Sequence, residues 1–495
     1  MIKNKIIIIF ILLGITGKSQ ENVLLLRDYW RGNPSLSQVR KDIAQGNSPT
    51  ELNSYGFDAV TWALIENANN ETIKFLLEIK GNDVNKLTHD GRTYVFWAAY
   101  RNNLEIMRYL IDHGAKIKII DSHGYSILNF AAVTGQKNQA LYDFLLRNGS
   151  EITETNRSGA NPMLLVSPFL KDDKLITYFT NKGIRFNSKD NDGNGIFHYA
   201  AKKGDTIFLE LLIQKGADYK TLSKNGENAF IFASQGTRNN SNNLSTFKYL
   251  ENLGLNPNIV TDKGITPLHA LGKKNKEINI IKYFIDKGVD VNQADIDGNT
   301  AFINASYMND VEIINFISKY VLNINHINKK GQTALMKAVK NNSYEVLNLL
   351  LKKKSNIFLK DKNHNTLVYY LIESYNKKNP DAFNKKIKRL VAEGLNIDYP
   401  QSKGETIWHL AVKRNDLKLL KKIAEFSSSL NKYNEQGLTP IHIAAMKATD
   451  VEILKLLIEL GADSNLKTDF EETVYDLAYE NELLKEQYKN LNFLK

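Results

Sequence analysis

Gly437-Leu438-Thr439-Pro440-Ile441-His442-Ile443-Ala444-Ala445 reads as a turn followed by the start of a helix. Thr439 is a good N-cap, and Pro440 suits the first helical position, where a missing N–H leaves no bond unmade. Ala444 and Ala445 are small, so a neighbouring helix can approach closely. A second helix follows, in which Val451, Ile453, Leu454, Leu456, Leu457 and Ile458 supply more than one apolar face. It stops at Gly461-Ala462-Asp463, because glycine readily adopts the left-handed conformation that ends a helix. Asn465 then leads into an extended segment and the next turn.

The same order of residues recurs along the chain. A turn glycine, a Thr-like position and an apolar helix start are found at Gly56, Gly91, Gly124, Gly159, Gly193, Gly226, Gly264, Gly298, Gly331, Gly404 and Gly437. His364 and Glu471 stand at the same phase where glycine is missing. The commonest spacing is 33 residues, stretched to 38 after Gly226 and 40 after His364. Glycines that end second helices keep the same beat, at Gly81, Gly114, Gly149, Gly183, Gly216, Gly254, Gly288 and Gly394. A period of this length means that each unit buries its apolar face only against its neighbours. Such an array has no core-size ceiling and so accommodates 495 residues without several conventional domains.

Thr266-Pro267-Leu268-His269 and Thr439-Pro440-Ile441-His442, the 33-residue period and the Gly-Ala-Asp endings together resemble ankyrin repeats, over about residues 50–480. The resemblance implies an all-α repeat solenoid with short β-hairpin fingers, a curved stack of about 12 helix-turn-helix units. It implies no catalytic activity. It also implies partner binding through hairpin tips and first helices, on the concave side. On this reading residues 20–54 form a divergent N-terminal capping unit, 55–467 the repeats, and 468–495 a polar C-terminal cap. Asn161-Pro162-Met163-Leu164 opens a degenerate unit without the alanine pair. The polar stretches around Gly236–Ser245 and Asn376–Ala382 are expected to be exposed, dispensable loops.

The beginning of the chain has a different grammar. Met1-Ile2-Lys3-Asn4-Lys5, the apolar run from Ile6 to Leu13 and the small residues Gly17 and Ser19 follow the pattern of a secretory signal peptide over residues 1–19. The run falls well short of the roughly 20 apolar residues a membrane span needs. No later segment is apolar enough to span a bilayer. The expected product is a soluble, exported monomer, periplasmic or secreted. With no cysteine, the chain has no disulfide, thiolate metal site, cysteine nucleophile or lipid attached to a cysteine. Loss of Lys3, Lys5 and Lys18 leaves 62 of 65 basic residues against 54 acidic ones, a charge of about +8. That excess points to a protein partner of acidic character, or alternatively to an anionic polymer, polysaccharide or nucleic acid.

Several motifs could suggest chemistry, and the repeat accounts for each. His198, His269, His409 and His442 share one repeat position. The resemblance implies that such a histidine hydrogen-bonds within and between adjacent hairpins. Stacked helices lie about 8–10 Å apart, too far for two histidines to share an ion held at about 2 Å. Asp190-Asn191-Asp192-Gly193-Asn194 and Asp295-Ile296-Asp297-Gly298-Asn299 look like fragments of calcium loops. An EF-hand would need a ligand two residues earlier and a Glu six after the glycine. The chain has Ser188 and Tyr199, and Gln293 and Asn304, so both fragments read as hairpin turns. No catalytic residue, cofactor or metal is expected. The positions expected to face a partner are Tyr100, Arg101, Lys202, Lys203, Lys273, Lys274, Tyr307, Lys340, Lys413, Arg414 and Lys447, with Arg92 among the turn residues flanking the glycines. Lys329 and Lys330 are turn residues of the same kind. Basic side chains with interspersed aromatics suit an acidic partner. Export with cleavage after Ser19 predicts a mature N-terminus near Gln20 by mass spectrometry of the native protein. An intact Met1 terminus in a cytosolic extract would overturn it.

Overall fold

The computed structural model describes residues 21–495 except Asn239, so the expected signal peptide at residues 1–19 lies outside the described residues. The chain divides into two compact units: residues up to Ala200 with Ile207–Asp218, and Ala201–Thr206 with Tyr219–Lys495. Both are built from paired helices. In the first unit the helices Ala59–Ile65, Tyr94–Tyr100, Ile127–Val133 and Pro162–Val166 pack side by side in chain order. In the second, Ala229–Gln235, Pro267–Lys274, Ala301–Met308, Ala334–Asn341, Leu367–Glu373, Ile407–Val412, Pro440–Lys447 and Val474–Glu480 do the same. Most are followed by a second helix packed against them. The all-α repeat solenoid that the resemblance implies is therefore the fold.

The fingers are tighter than expected. Among the described residues there is no regular strand, only isolated bridges such as Ile120 with Ser126. Most fingers are turns held by a short side chain three residues before the left-handed position, whereas at the Gly404 finger the residue there is Gln401, whose amide oxygen accepts from the Thr366 N–H. Asp295 Oδ1 accepts from the N–H groups of Asp297 (2.9 Å) and Asn299 (2.8 Å). Asp190 does the same for Asp192 (3.0 Å) and Asn194 (2.8 Å). The two calcium-like fragments thus turn their carboxylates onto their own backbone. Successive tips are then stitched together by backbone bonds: Ile296 N–H to Lys263 O (2.7 Å), Lys329 N–H to Asp297 O (2.8 Å), Lys362 N–H to Lys330 O (2.9 Å). Gly331 shows why glycine recurs. Its φ is +74°, and a Cβ there would lie 2.7 Å from the Lys362 nitrogen. His364 and Glu471 adopt the same left-handed conformation, each at φ 63°, with the steric cost that a side chain brings.

Helix contact depends on small residues. Ala98, Ala99, Ala131, Ala132, Ala444 and Ala445 are all buried. At Gly272 the approach is closest, since a Cβ would meet the Ala301 carbonyl oxygen at 2.7 Å. A row of buried or half-buried asparagines joins consecutive units by donating to the free carbonyls at first-helix C-termini. Asn309 donates to Gly272 O and Asn275 O, Asn342 to Ser306 O and Asn309 O, and Asn481 to Ala445 O and Ala448 O.

The two insertions are not simply dispensable loops. Asn242, inside the first, is buried and donates to Ala201 O (2.9 Å) and Ala233 O (3.0 Å), so it belongs to the asparagine row. The second feeds a 13-residue helix, Pro380–Ala392. From it Lys386, only 4% exposed, donates to Val339 O (2.8 Å) and takes the place of the asparagine. Burial draws its ammonium down to about 8, while the helix C-terminus it caps favours the cation. The degenerate unit has a five-residue first helix, Pro162–Val166, capped by Asn161 and followed by the Ser167–Phe169 turn. At the N-terminal end Trp30 is fully buried and donates to Leu24 O (2.9 Å). Gly272→Ala is expected to lower stability by about 1–3 kcal/mol through overpacking, read as a lower midpoint in thermal or urea unfolding. An unchanged midpoint would mean that the helices can part without cost.

Candidate functional site

The four histidines at one phase resolve into structural and variant positions. In His269, His409 and His442, Nδ1 accepts from the backbone N–H of the N-cap threonine (3.0 Å in each) and from its hydroxyl. An N–H can only donate, so Nδ1 is unprotonated and the ring proton sits on Nε2. Nε2 then donates to the next unit: to Asn299 O (3.1 Å), Leu438 O (2.9 Å) and Leu466 O (2.9 Å). Each ring is thus an N-cap element and a tie between units. His198 has Gly195 where the others have threonine, and burial pushes its imidazole down to about 4.

Of the residues expected to face a partner, some are already engaged within the protein. Arg92 is 8% exposed; its guanidinium binds Asp121 (2.8 Å) and Asp90 (3.1 Å) and lies over the Phe130 ring at 4.3 Å. The expectation that it meets a partner is corrected: desolvation is compensated inside the molecule, and the group is a structural tie. Arg101 donates to Ile65 O and lies over Tyr100 (5.1 Å), at the rim of an open cleft with Asn67, Asn69, Asn102 and Asn103. Lys340 pairs with Glu373 (3.1 Å), and Lys413 pairs with Glu405. Arg414 donates to Tyr375 O (3.0 Å) and reaches Glu373 at 4.0 Å. Lys202 lies over the Phe232 ring (5.3 Å), while Lys203 and Lys447 are exposed.

What remains is a compact site in the second unit, across the adjacent helices Pro267–Lys274, Ala301–Met308, Ala334–Asn341 and Leu367–Glu373. Lys273 lies over the Tyr307 ring at 5.8 Å. Lys274 is half-buried, and burial first, then the like charge of Lys273, holds its ammonium below the ordinary lysine range. Tyr307 and Lys340 also line a cleft of about 260 Å³, with Lys337, Asn341, Asn363 and Tyr369 among its other walls. Burial, then the charges of Lys330 and Lys340, depresses Lys337 in the same direction. Neither Lys274 nor Lys337 has a carboxylate partner among the described residues. Lys337 was not among the expected positions, although the signal for it existed. It lies three residues before Lys340 on one helix, and residues three apart share a face. Among the described residues no cluster of ligands could hold a metal ion.

Paired helices stitched through finger tips define a class: a helical-hairpin repeat protein. A family model described as ankyrin repeats (3 copies) matches residues 59–156, 237–326, 274–363 and 381–468, more than half of the chain. The chain belongs to the ankyrin repeat family, whose members are generally non-enzymatic protein-binding scaffolds. It is similar to an ankyrin repeat protein of Acanthamoeba polyphaga mimivirus, 26% identical over 48% of this chain and 30% of that protein. It is also similar to the phosphocholine transferase AnkX of Legionella pneumophila, 23% identical over 43% of this chain and 20% of that one. The matches thus span at most about a third of these relatives' lengths. Among solved structures, the human ASB11 ankyrin repeat domain matches 47% of this chain and 98% of its own, at 21% identity and a TM-score of 0.40.

The imidazoles of His269, His409 and His442 are held below the ordinary histidine range, chiefly by burial. The unfolded chain therefore takes up protons near pH 6.5 while the folded chain still resists them. Stability should be complete above about pH 6.5 and decline as the pH falls below it. His442→Ala should cost about 1–3 kcal/mol at pH 7.5, by stranding the threonine and Leu466 partners, and should flatten this acid dependence. Urea unfolding of both proteins from pH 7.5 to 5 measures both effects, and equal acid slopes would exclude the histidine as their source.

Proposed function

We propose that this chain is a non-catalytic scaffold, exported to the periplasm or the secreted space, that docks a protein of acidic character along its first-helix face. It acts as a monomer. One observation carries the reading: Lys274 and Lys337, on first helices with one other between them, are half-buried without a carboxylate of their own, and Lys337 shares a cleft with Tyr307 and Tyr369. Cations that are part-desolvated and uncompensated gain from an anionic partner group. The charged, apolar and small residues in order over 1–19 support export. The second reading, an anionic polymer, is favoured by the net charge of about +8 that remains once residues 1–19 are removed. Against it, Lys413 pairs with Glu405, and Lys340 and Arg414 share Glu373, which interrupts the run of positive charge a polymer would follow.

Affinity capture from the native envelope fraction tests this, with the full chain, Lys273→Glu/Lys274→Glu, and the second-helix control Lys352→Glu/Lys418→Glu as baits. The expected result is a protein retained by the full chain and the control but lost from the first-helix variant, with capture weakening as salt rises. Equal loss from both variants would reduce the effect to non-specific charge. Capture abolished by nuclease or glycosidase treatment would favour the polymer reading.

A further inference from the structure

The cleft between the helices Ala301–Met308, Ala334–Asn341 and Leu367–Glu373 has a charge balance that defines what it can hold. Lys340 is matched by Glu373 at 3.1 Å. Asp361, which also lines the cleft, accepts from the Tyr370 hydroxyl (2.7 Å) and the turn N–H groups of Asn363 (2.8 Å) and Asn365 (3.0 Å). Lys337 remains, half-buried and without a carboxylate. Neutral donors leave the Asp361 charge in place, but Asp361 forms no ion pair with Lys337, so Lys337 is the lysine without a salt bridge in a space of about 260 Å³. The other walls are phenol rings, from Tyr307 and Tyr369, and side-chain amides, from Asn341 and Asn363. Amides bond equally well to a peptide N–H and a peptide C=O.

We propose that this cleft is an anchor for a single carboxylate side chain, Glu or Asp, of an extended partner peptide, with Lys337 as the ion-pairing residue and Tyr307 and Tyr369 flanking it. The proposal rests on the reading of the first-helix face as a protein-docking surface and specifies its chemistry. A second observation distinguishes a peptide from a polyanion. Four residues before the turn glycine, the Gly226, Gly264 and Gly331 fingers of the second unit expose large apolar side chains, Leu222 (48%), Val260 (47%) and Ile327 (52%), while the Gly298 finger between the last two carries Ala294. Ile327 immediately precedes Asn328, whose side chain bonds Gln332 on the cleft wall (3.3 Å). A polysaccharide or nucleic-acid backbone has no aliphatic groups for such a row, whereas a peptide has. Units about 10 Å apart correspond to three residues of extended chain at about 3.3 Å each. Val260 and Ile327 are two units apart, so the matching segment has apolar residues six positions apart with an acidic residue within that span.

The test uses two fluorescein-labelled peptides, Ser-Leu-Ser-Ser-Glu-Ser-Ser-Leu-Ser and its counterpart with Gln for Glu, titrated against the full chain by anisotropy at low salt. The Glu peptide should bind at least about tenfold more tightly, as a charge-assisted bond implies. Lys337→Gln should abolish that preference, and Lys337→Arg and Lys352→Gln should retain it, with circular dichroism confirming that each variant is folded. A preference that survives in Lys337→Gln would overturn the anchor, as would failure to bind either peptide up to millimolar concentration. Displacement of the Glu peptide by a dT oligonucleotide at a lower concentration than by poly-glutamate would overturn it in favour of a polyanion. If the peptides fail while envelope capture still depends on Lys273 and Lys274, the docking reading stands and only the anchor is lost.

Discussion

Everything in this molecule rests on a turn that cannot complete itself. The finger glycine takes a left-handed conformation, in most fingers a short polar side chain three residues earlier folds back onto the turn, and one N–H of the tip is left for the carbonyl of the preceding finger. The same arrangement sets the N-cap threonine, and through it the direction of the first helix. Histidine at the fourth position then ties the cap to the next unit. A unit taken alone would leave these donors and acceptors in water and its apolar stripe uncovered, which is why stability accrues by stacking.

The asparagine row solves a second problem at the other end of the first helix, where four carbonyls lack intrahelical partners. Lys386 shows that the requirement is for a donor rather than for asparagine. A lysine reaching the Val339 carbonyl from a longer helix serves the same purpose, and the local dipole favours its charge. Both insertions are therefore accommodated without breaking the joint between units.

Local pairing also determines which charges are available. The acids Glu373, Glu405 and Asp121 neutralise the basic residues that look most like a binding surface in the sequence. The part-exposed pair of Lys340 with Glu373 adds little stability, about 0–1 kcal/mol, but it changes the surface a partner meets. Lys274 and Lys337 stand out because they lack such matches and are partly desolvated.

The structural role of the histidines was what the resemblance to ankyrin repeats implied, while the sequence by itself determined the period, the helix starts at Thr-Pro-Leu-His and the misleading character of the Asp-x-Asp-Gly fragments. These follow from local rules: capping, left-handed glycine and helical spacing act within a few residues. Tertiary structure alone decided that Arg92 is buried, that Asn242 and Lys386 close helix ends, and which lysines remain without a partner. Those outcomes depend on atoms about one repeat away in sequence, as with Lys340 and Glu373, or Asn242 and Ala201. A period places such residues at the same height in the stack, but only the packed side chains set whether they lie 3 Å or 8 Å apart, and at that range the Coulomb and hydrogen-bond energies are made or lost.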